Sequence, residues 1–451
     1  MPRDAPSPGS AARRPRDPCG SRDPRRVLLV DADAFFVAVA RLVDPAGAGR
    51  APLLIVGGAP GSRGVVCSAS YECRRFGVRS AMPIARALRL CPQATCVPVP
   101  RRACGEKSRE IAAVLGRFAP VVAPASIDEW YLDLAGTEAL YGEEPLETTA
   151  QRIRHAVAAE TGLTVSIGGG TNRLVAKLAV ELAKPHRRAS ASASGEDAGT
   201  AAAPIGGGAY VVPAGREGEF MTRFALRDIP LVGPRLQEEL ARAGLRTVRD
   251  ALAHDAASLD RMLGARTGRW LHDRVRGIDP TPVEARDEAK SMGREETFDR
   301  DLHDEATIER ELLRLAVRVS ADLRADGLTA RTVTVKVRDA DFTTRQGSRT
   351  LARGVDSERA VATVARELLR RLRRARRVGV RLLGVSLSQL AEERAGAAQQ
   401  PQLALFDEPA AAAGGDDGVE TPRDRALSRM VDRIRARFGR EAIVPGEILG
   451  E

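Results

Sequence analysis

Apolar and polar positions follow two periods along this chain. VLLV at 27–30 is a continuous apolar run of strand length that breaks off at Asp31-Ala32-Asp33, the pattern of a strand buried on both faces. From Ala34 to Val43 the spacing becomes helical and opens on the pair Phe35-Phe36. LLIVGG at 53–58 predicts a second strand. GVVCSASYECRRFGVRSAMP at 64–83 opens as a strand and becomes a basic turn or helix, and ARALRLCP predicts a short helix stopped by Pro92. A helical pattern over 106–117 leads into VVAPASIDEWYLDL, a strand-like segment carrying Asp128 and Glu129. A helix is predicted over 147–160, and TVSIGGG at 164–170 is a strand with a glycine end. Asn172 is placed to cap the helix RLVAKLAVELAK, which Pro185 follows.

The second half reads differently. Residues 189–208 have the composition of a flexible loop. AYVVP resumes as a strand, 220–285 hold several short helices, and EARDEAKSMGRE is a polar, hinge-like stretch. Amphipathic helices over 306–325 and 357–376, with RTVTVKVRDADF and GVRLLGVSLSQL as strands, make 293–391 a small α+β domain. Beyond 392 the composition turns to Ala, Gly, Pro and acid, interrupted by the helical stretch RALSRMVDRIRARFG.

Composition adds limits. A chain of 451 residues, 43% hydrophobic, fits about three domains with real cores and excludes wholesale disorder. The formal net charge of +10 suits a polyanionic partner. The lysines are Lys107, Lys177, Lys184, Lys290 and Lys336, and the remaining bases are arginine. Residues 1–25 read as a disordered basic arm without the apolar core of an export signal, and no apolar span is long enough for a membrane helix. The spacings of Cys19, Cys67, Cys73, Cys91, Cys96 and Cys104 match no zinc pattern. Together these features predict a cytoplasmic protein with reduced thiols.

Asp31 closes one buried strand and Asp128-Glu129 lies on another. Two strand ends presenting three carboxylates together would form a hard oxygen site suited to Mg²⁺. Like charges so close raise one another's pKa unless a cation neutralises them, and nucleotidyl transfer uses such a cation. Taken singly, each acid is more simply read as a solvated strand end.

VDADAFFVAV, GVVCSASYECRRFGVRSAMP, SIDEWYLDL and AKLAVELAKP occur in that order. Together they resemble the Y-family translesion DNA polymerases, above all the DNA polymerase IV (DinB) branch, from about Val27 to Leu390. The resemblance implies an α+β multidomain right hand. A disordered arm covers 1–25, and a ferredoxin-like palm covers 26–35 and 102–213 with a flexible insert at 189–208. Small fingers cover 36–101, a helical helix-hairpin-helix thumb 214–284, a linker 285–292 and an α+β little finger 293–391. The tail, 392–451, is expected to be flexible with a short helix.

It further implies a palm in which Asp31, Asp128 and Glu129, with the carbonyl of Ala32, hold two Mg²⁺ ions per site, Glu129 serving the ion that activates the primer 3′-hydroxyl. Asp33 shares the signature without being a ligand. Phe36 is the implied steric gate against ribonucleotides, and the amides of Phe35 and Phe36 reach the triphosphate. Ser68, Tyr71, Arg74 and Lys184 match its remaining contacts, donors of the kind phosphate oxygens accept. Cys67, Ala69 and Ser70 are small and fit a roomy pocket over the nascent pair. Lys177 lies seven residues before Lys184 on one helix face, and a solvated stripe remains open for it.

LRDIPLVGPRLQEELARAGLRTVRDAL (226–252) resembles a helix-hairpin-helix that presents backbone N–H groups to a DNA phosphate. Gly233 is in place, but Leu231 stands where glycine is usual. If that position needs φ > 0, Leu231 is strained and the hairpin grips DNA weakly. Between 290 and 390 there are 22 Lys and Arg against 15 Asp and Glu. The run from Arg370 to Arg377 is read as a phosphate-tracking surface in which Arg371 and Arg374 contact the DNA. Gln402, Leu403, Leu405 and Phe406 resemble the peptide by which bacterial polymerases bind the ring-shaped sliding clamp (beta clamp).

Some positions depart from the pattern: Trp130, Cys73, Val180, and Lys-Pro-His-Arg in place of Lys-Pro-x-Gly before the insert. The chain is therefore expected to be a Mg²⁺-dependent, low-fidelity polymerase that extends primers on template DNA from dNTPs. It is expected to work as a monomer without a proofreading exonuclease. A palm-bearing cyclase leaves the DNA-binding segments without purpose. A non-catalytic DNA- and clamp-binding partner in mutagenic repair is the main alternative, but it has no use for Asp31, Asp128, Glu129 and Phe36 together.

Overall fold

The apolar run at 27–30 forms the inner part of β1 (Val27–Ala32), buried along its whole length. A tight turn with Ala34 at φ 45° leads into α1 (Phe35–Val43). The computed structural model describes residues 25–185, 207–285, 289–392, 418–439 and 442–449. These fall into two compact units. One comprises Met1–Leu54, Ser68–Glu72 and Val99–Ala285, the other Ile55–Cys67, Cys73–Pro98 and Arg286–Glu451.

After α1 come β2 (Leu54–Gly57), β3 (Val66–Ala69), α2 (Tyr71–Arg75), α3 (Ile84–Leu90) and β4 (Thr95–Val97). The three strands pair in the order β3-β2-β4. There follow α4 (Arg101–Leu115), β5 (Val121–Pro124), β6 (Glu129–Asp133), α5 (Leu146–Thr161), β7 (Val165–Gly170), α6 (Arg173–Ala183) and β8 (Ala209–Val211).

The five-stranded sheet of the first unit runs β5-β6-β1-β7-β8. β1 is antiparallel to both neighbours, and β7 and β8 are parallel. Alternation along β1 sends Leu28 and Val30 into one core with Trp130, Leu132, Ile153 and Ile167. Val27 and Leu29 face the other way, against Tyr131, Ala176 and Val180. Phe35 and Val39 of α1 bury into the first of these cores, so the expected boundary between palm and fingers at 35/36 falls inside a helix that belongs with the palm sheet.

The helical part of this unit holds α7 (Glu217–Met221), α8 (Pro234–Arg242), α9 (Val248–Leu252), α10 (Ala256–Leu263) and α11 (Ala265–Val275). Its core of Phe220, Leu240, Leu259 and Leu271 also takes Leu174 and Leu178 of α6. Leu231, at φ 75°, occupies the hairpin before α8, and Gly233 is the residue before that helix, with Pro234 opening it.

In the second unit β9 (Ser291–Leu302), α12 (Glu305–Ala325), β10 (Leu328–Asp339), β11 (Thr344–Val355), α13 (Glu358–Ala375) and β12 (Val380–Glu392) form a sheet in the order β11-β10-β12-β9. Asp304 and Ser357 cap the two helices through their side chains, and both helices pack on the sheet through Leu312, Leu323, Val361 and Leu368. Of the stretch expected as a polar hinge, residues 286–288 lie outside the described residues, and 291–295 form the start of β9. Its side chains are mostly exposed, so it lacks the alternation that marks a half-buried strand.

The chain closes with α14 (Pro422–Phe438) and α15 (Gly446–Leu449). The expectation of a flexible tail needs correcting for α14, which is docked on α12 and α13. Arg324 grips Asp432 through two nitrogens at 2.6 and 2.9 Å. Arg359 pairs with Asp424, and Arg435 with Glu358. Glu420 accepts from the backbone N–H of Asp356 and Ser357 at the start of α13. The peptide at 402–406, the arm at 1–24 and insert residues 186–206 lie outside the described residues.

Candidate active site

The site grows from the register of β1. Asp31 continues the row of Val27 and Leu29, and its partner across the ladder is Glu129, as Leu29's is Tyr131. Both carboxylates therefore emerge on the face that α6 covers. Gly168 lets α6 lie there: a Cβ at that position would sit 2.1 Å from the Val180 nitrogen and 2.2 Å from the Ala176 oxygen. The capping bond from the Val175 N–H to Asn172 Oδ1, 3.0 Å, fixes where the helix begins. Its lysines then come down on the acids. Lys177 Nζ is 2.5 Å from Glu129 Oε1, and Lys184 Nζ is 2.8 Å from Asp31 Oδ2 and 2.7 Å from Glu181 Oε1.

Charges so arranged perturb one another. Ladder partners hold their Cβ atoms ~5 Å apart, where two like charges repel by ~3 kcal/mol at an effective dielectric of 20. Burial pushes the Asp31 carboxyl up to about 7, against the pull of Lys184, and Glu129 adds to the rise. Burial also acts to raise Glu129, but Lys177, with Asp31 and Lys184, together offset it and hold Glu129 below the usual carboxylate range. Lys184 loses by burial and gains more from Asp31 and Glu181, ending above its ordinary value. The lysine thus stays charged through neutrality, while burial keeps the Asp31 carboxyl well above the usual carboxylate range.

The third acid stands apart. Asp128 offers its backbone carbonyl to the Ala32 N–H at 2.9 Å, while its carboxylate accepts from Ser126 Oγ at 2.5 Å. Among the described residues no three His, Cys, Asp or Glu side chains are gathered in a metal-holding group. The structure brings Asp31 and Glu129 together and leaves the Asp128 side chain turned to its own loop. The donor set nonetheless fits a divalent cation, because two carboxylates here already sit against two ammonium groups.

Asp33 has a different task. It accepts from Ser166 Oγ at 2.6 Å and from the Gly207 N–H at 2.9 Å, anchoring the point where the insert re-enters the sheet. Phe36 is half-buried and meets the buried Phe35 edge to face, with ring centroids 5.5 Å apart. The left-handed turn at Ala34, whose carbonyl accepts from Val37 and Ala38, sets the angle at which both rings leave the strand.

Ser68 is buried, and Tyr71 and Arg74 are half-buried at the start and middle of α2. A Cβ on Gly233 would meet nothing within 4 Å, so packing does not require glycine there. Along α13 the arginine run divides. Arg370 pairs with Glu309, the buried Arg373 with Glu305, and Arg376 with Asp341, whereas Arg371 and Arg374 are exposed. Sequence reasoning left Lys177 open and gave Ser166 and Gly207 no role. The signal for Lys177 was its place on the Lys184 face; Ser166 and Gly207 carried none.

Comparison with known proteins gives three matches to family models: the impB/mucB/samB family over residues 30–181, its C-terminal domain over 289–404, and the thumb domain of DNA polymerase-iota over 227–279. The chain is 36% identical over 423 residues to a DNA polymerase IV of Desulfatibacillum aliphaticivorans, covering 94% of this chain and 96% of that one. It is 38% identical over 370 residues to one of Halorhodospira halophila, covering 81% and 95%. Among solved structures it resembles a Y-family DNA polymerase chimera, Dbh-Dpo4(243-245)-Dbh, with a TM-score of 0.69, 25% identity and coverage of 82% of this chain and 100% of that one.

Proposed function

The chain belongs to the Y-family DNA polymerases, in the DNA polymerase IV branch, and from its being a translesion DNA polymerase we propose how its own residues carry out that synthesis. The observation that carries the proposal is the Asp31–Glu129 ladder pair, held on the buried face of β1 and β6 and met there by two ammonium groups. Asp31, Glu129, the carbonyl of Ala32 and a reoriented Asp128 would hold two Mg²⁺ ions. A Mg²⁺ held by these residues would supply a lower pKa for the attacking 3′-hydroxyl and compensation for the charge on the departing pyrophosphate.

The chain's own groups do the rest. Lys184, released from Asp31, offers its ammonium to the triphosphate, joined by Ser68, Tyr71, Arg74 and the amides of Phe35 and Phe36. Phe36 closes the space under the sugar, where a 2′-hydroxyl would collide with its ring. The small side chains of Cys67, Ala69 and Ser70 leave room above the nascent pair. Such a site accepts distorted template bases and discriminates weakly by shape.

Primer–template DNA is held without sequence reading by Arg371 and Arg374 and by the Gly233 amide at the hairpin, which in the free chain donates to the Leu231 carbonyl and would turn from it to a phosphate. Clamp binding through Gln402, Leu403, Leu405 and Phe406 supplies processivity by tethering a monomer. Fidelity is set without an editing exonuclease, and the protein acts in the cytoplasm.

The test is extension of a labelled primer with Mg²⁺ and dNTPs, comparing wild type with Asp128→Ala. Extension should vanish in the variant and fall on chelation of the metal. Substituting rNTPs should give no product unless Phe36 is made small. Absence of extension by folded wild type that still binds DNA, with clamp supplied, would sink the proposal.

A further inference from the structure

Helix α6 lays two lysines on the acid pair, and the reaction proposed above employs one of them. Lys184 has the triphosphate to turn to. Lys177 has no assigned part, yet its ammonium makes the shorter contact, 2.5 Å to Glu129 Oε1. Its helix neighbours Ala176, Leu178 and Val180 are buried, and Gly168 lets that helix lie directly on β7. A lysine that merely decorated the surface would reach for water. This one is only about a quarter exposed and points into the acids.

We infer that Lys177 is a positioning residue whose ammonium, in the free enzyme, holds Glu129 in the place a divalent cation takes, so that the acid loads its cation in exchange for the lysine. The inference rests on the reading of Asp31 and Glu129 as cation ligands. With both lysines in place each acid of the pair has an ammonium against it, and the site stays assembled without a metal. A divalent ion arriving alone must displace an ammonium that has nowhere else to go. An incoming triphosphate offers that ammonium a new anion, which couples cation loading to nucleotide binding.

The experiment is Mn²⁺ binding to the full-length enzyme without DNA, followed by the electron paramagnetic resonance of free Mn²⁺, with and without dNTP. Lys177→Met should bind Mn²⁺ ~fivefold or more tightly than wild type in the absence of dNTP, since a competing unit charge is gone. The gain that dNTP gives to Mn²⁺ affinity should shrink correspondingly. Lys177→Arg should restore both wild-type values. Lys177→Gln supplies a second neutral variant if the methionine chain folds poorly.

Mn²⁺ affinity unchanged or weakened in both neutral variants would overturn the inference, leaving Lys177 a structural anchor. Glu129→Gln separates the two readings. If it leaves wild-type Mn²⁺ binding intact, the acids are not the ligands and the underlying reading fails. If it removes binding while Lys177→Met changes nothing, only the exchange by Lys177 fails.

Discussion

Leu231 offers a direct measure of what the thumb hairpin sacrifices. Its φ of 75° places an L-residue with a branched side chain in the left-handed region, at a cost of ~1–2 kcal/mol. The side chain is 82% exposed, so removing it forfeits almost no burial. Leu231→Gly relieves that strain but adds ~0.5–1 kcal/mol of chain entropy in the open state. The balance favours the folded hairpin by roughly 0.5–1 kcal/mol.

Native-state hydrogen exchange reads this locally, which matters in a chain with several domains. The amides of Val232 and Gly233, which bond to Ile229 and Leu231 carbonyls across the turn, should exchange about two- to fivefold more slowly in the variant. Fluorescence anisotropy with primer–template DNA at fixed salt supplies the functional half. A hairpin freed of strain should bind at least as tightly as wild type. Faster exchange would refute the strain argument, and a clear loss of DNA affinity would show that the exposed leucine itself touches DNA.

Three further outcomes are expected. Because burial raises the Asp31 carboxyl to about 7, ligation of a cation must expel a proton at lower pH. Mn²⁺ affinity should then fall as pH drops below 7 and level off above it, with proton release visible by calorimetry in buffers of different ionisation enthalpy; an affinity flat from pH 5.5 to 8 would contradict this. Asp33→Ala strands the Ser166 hydroxyl and the Gly207 N–H at a cost of ~2–4 kcal/mol. It should increase proteolysis near residue 207 while leaving Mn²⁺ binding in place, whereas loss of Mn²⁺ binding would make Asp33 a ligand. Gly168→Ala drives a methyl into the α6 backbone and should destabilise the palm by ~1–3 kcal/mol or more and abolish extension; a fully active variant would show that α6 need not lie so close.

The palm was legible because its signals are local and strong. An apolar run that stops at an acid, a glycine-ended strand and an asparagine cap each specify an element within a few residues, and they fixed β1, β7 and the start of α6. The pairing of Asp31 with Glu129 was legible only through the resemblance, since register between strands a hundred residues apart leaves no mark on either one. β9 and β11 escaped because each is largely exposed. On such strands polar side chains occupy both faces and the period of two disappears.

The roles of α13 and α14 were harder still, because they depend on which charges meet. The run Arg370–Arg377 reads as one basic stripe, yet Glu309, Glu305 and Asp341 each take one of its members. The proposed DNA contacts Arg371 and Arg374 belong to the exposed subset that remains. The stretch RALSRMVDRIRARFG reads as an isolated helical segment in a polar tail. The acids Asp424 and Asp432 of α14 find Arg359 and Arg324 on the little finger. Arg324 is itself only 5% exposed in its side chain, and a guanidinium that buried needs its carboxylate partner. α14 therefore completes the little finger, and the peptide at 402–406 falls between two segments, β12 and α14, that both belong to that domain.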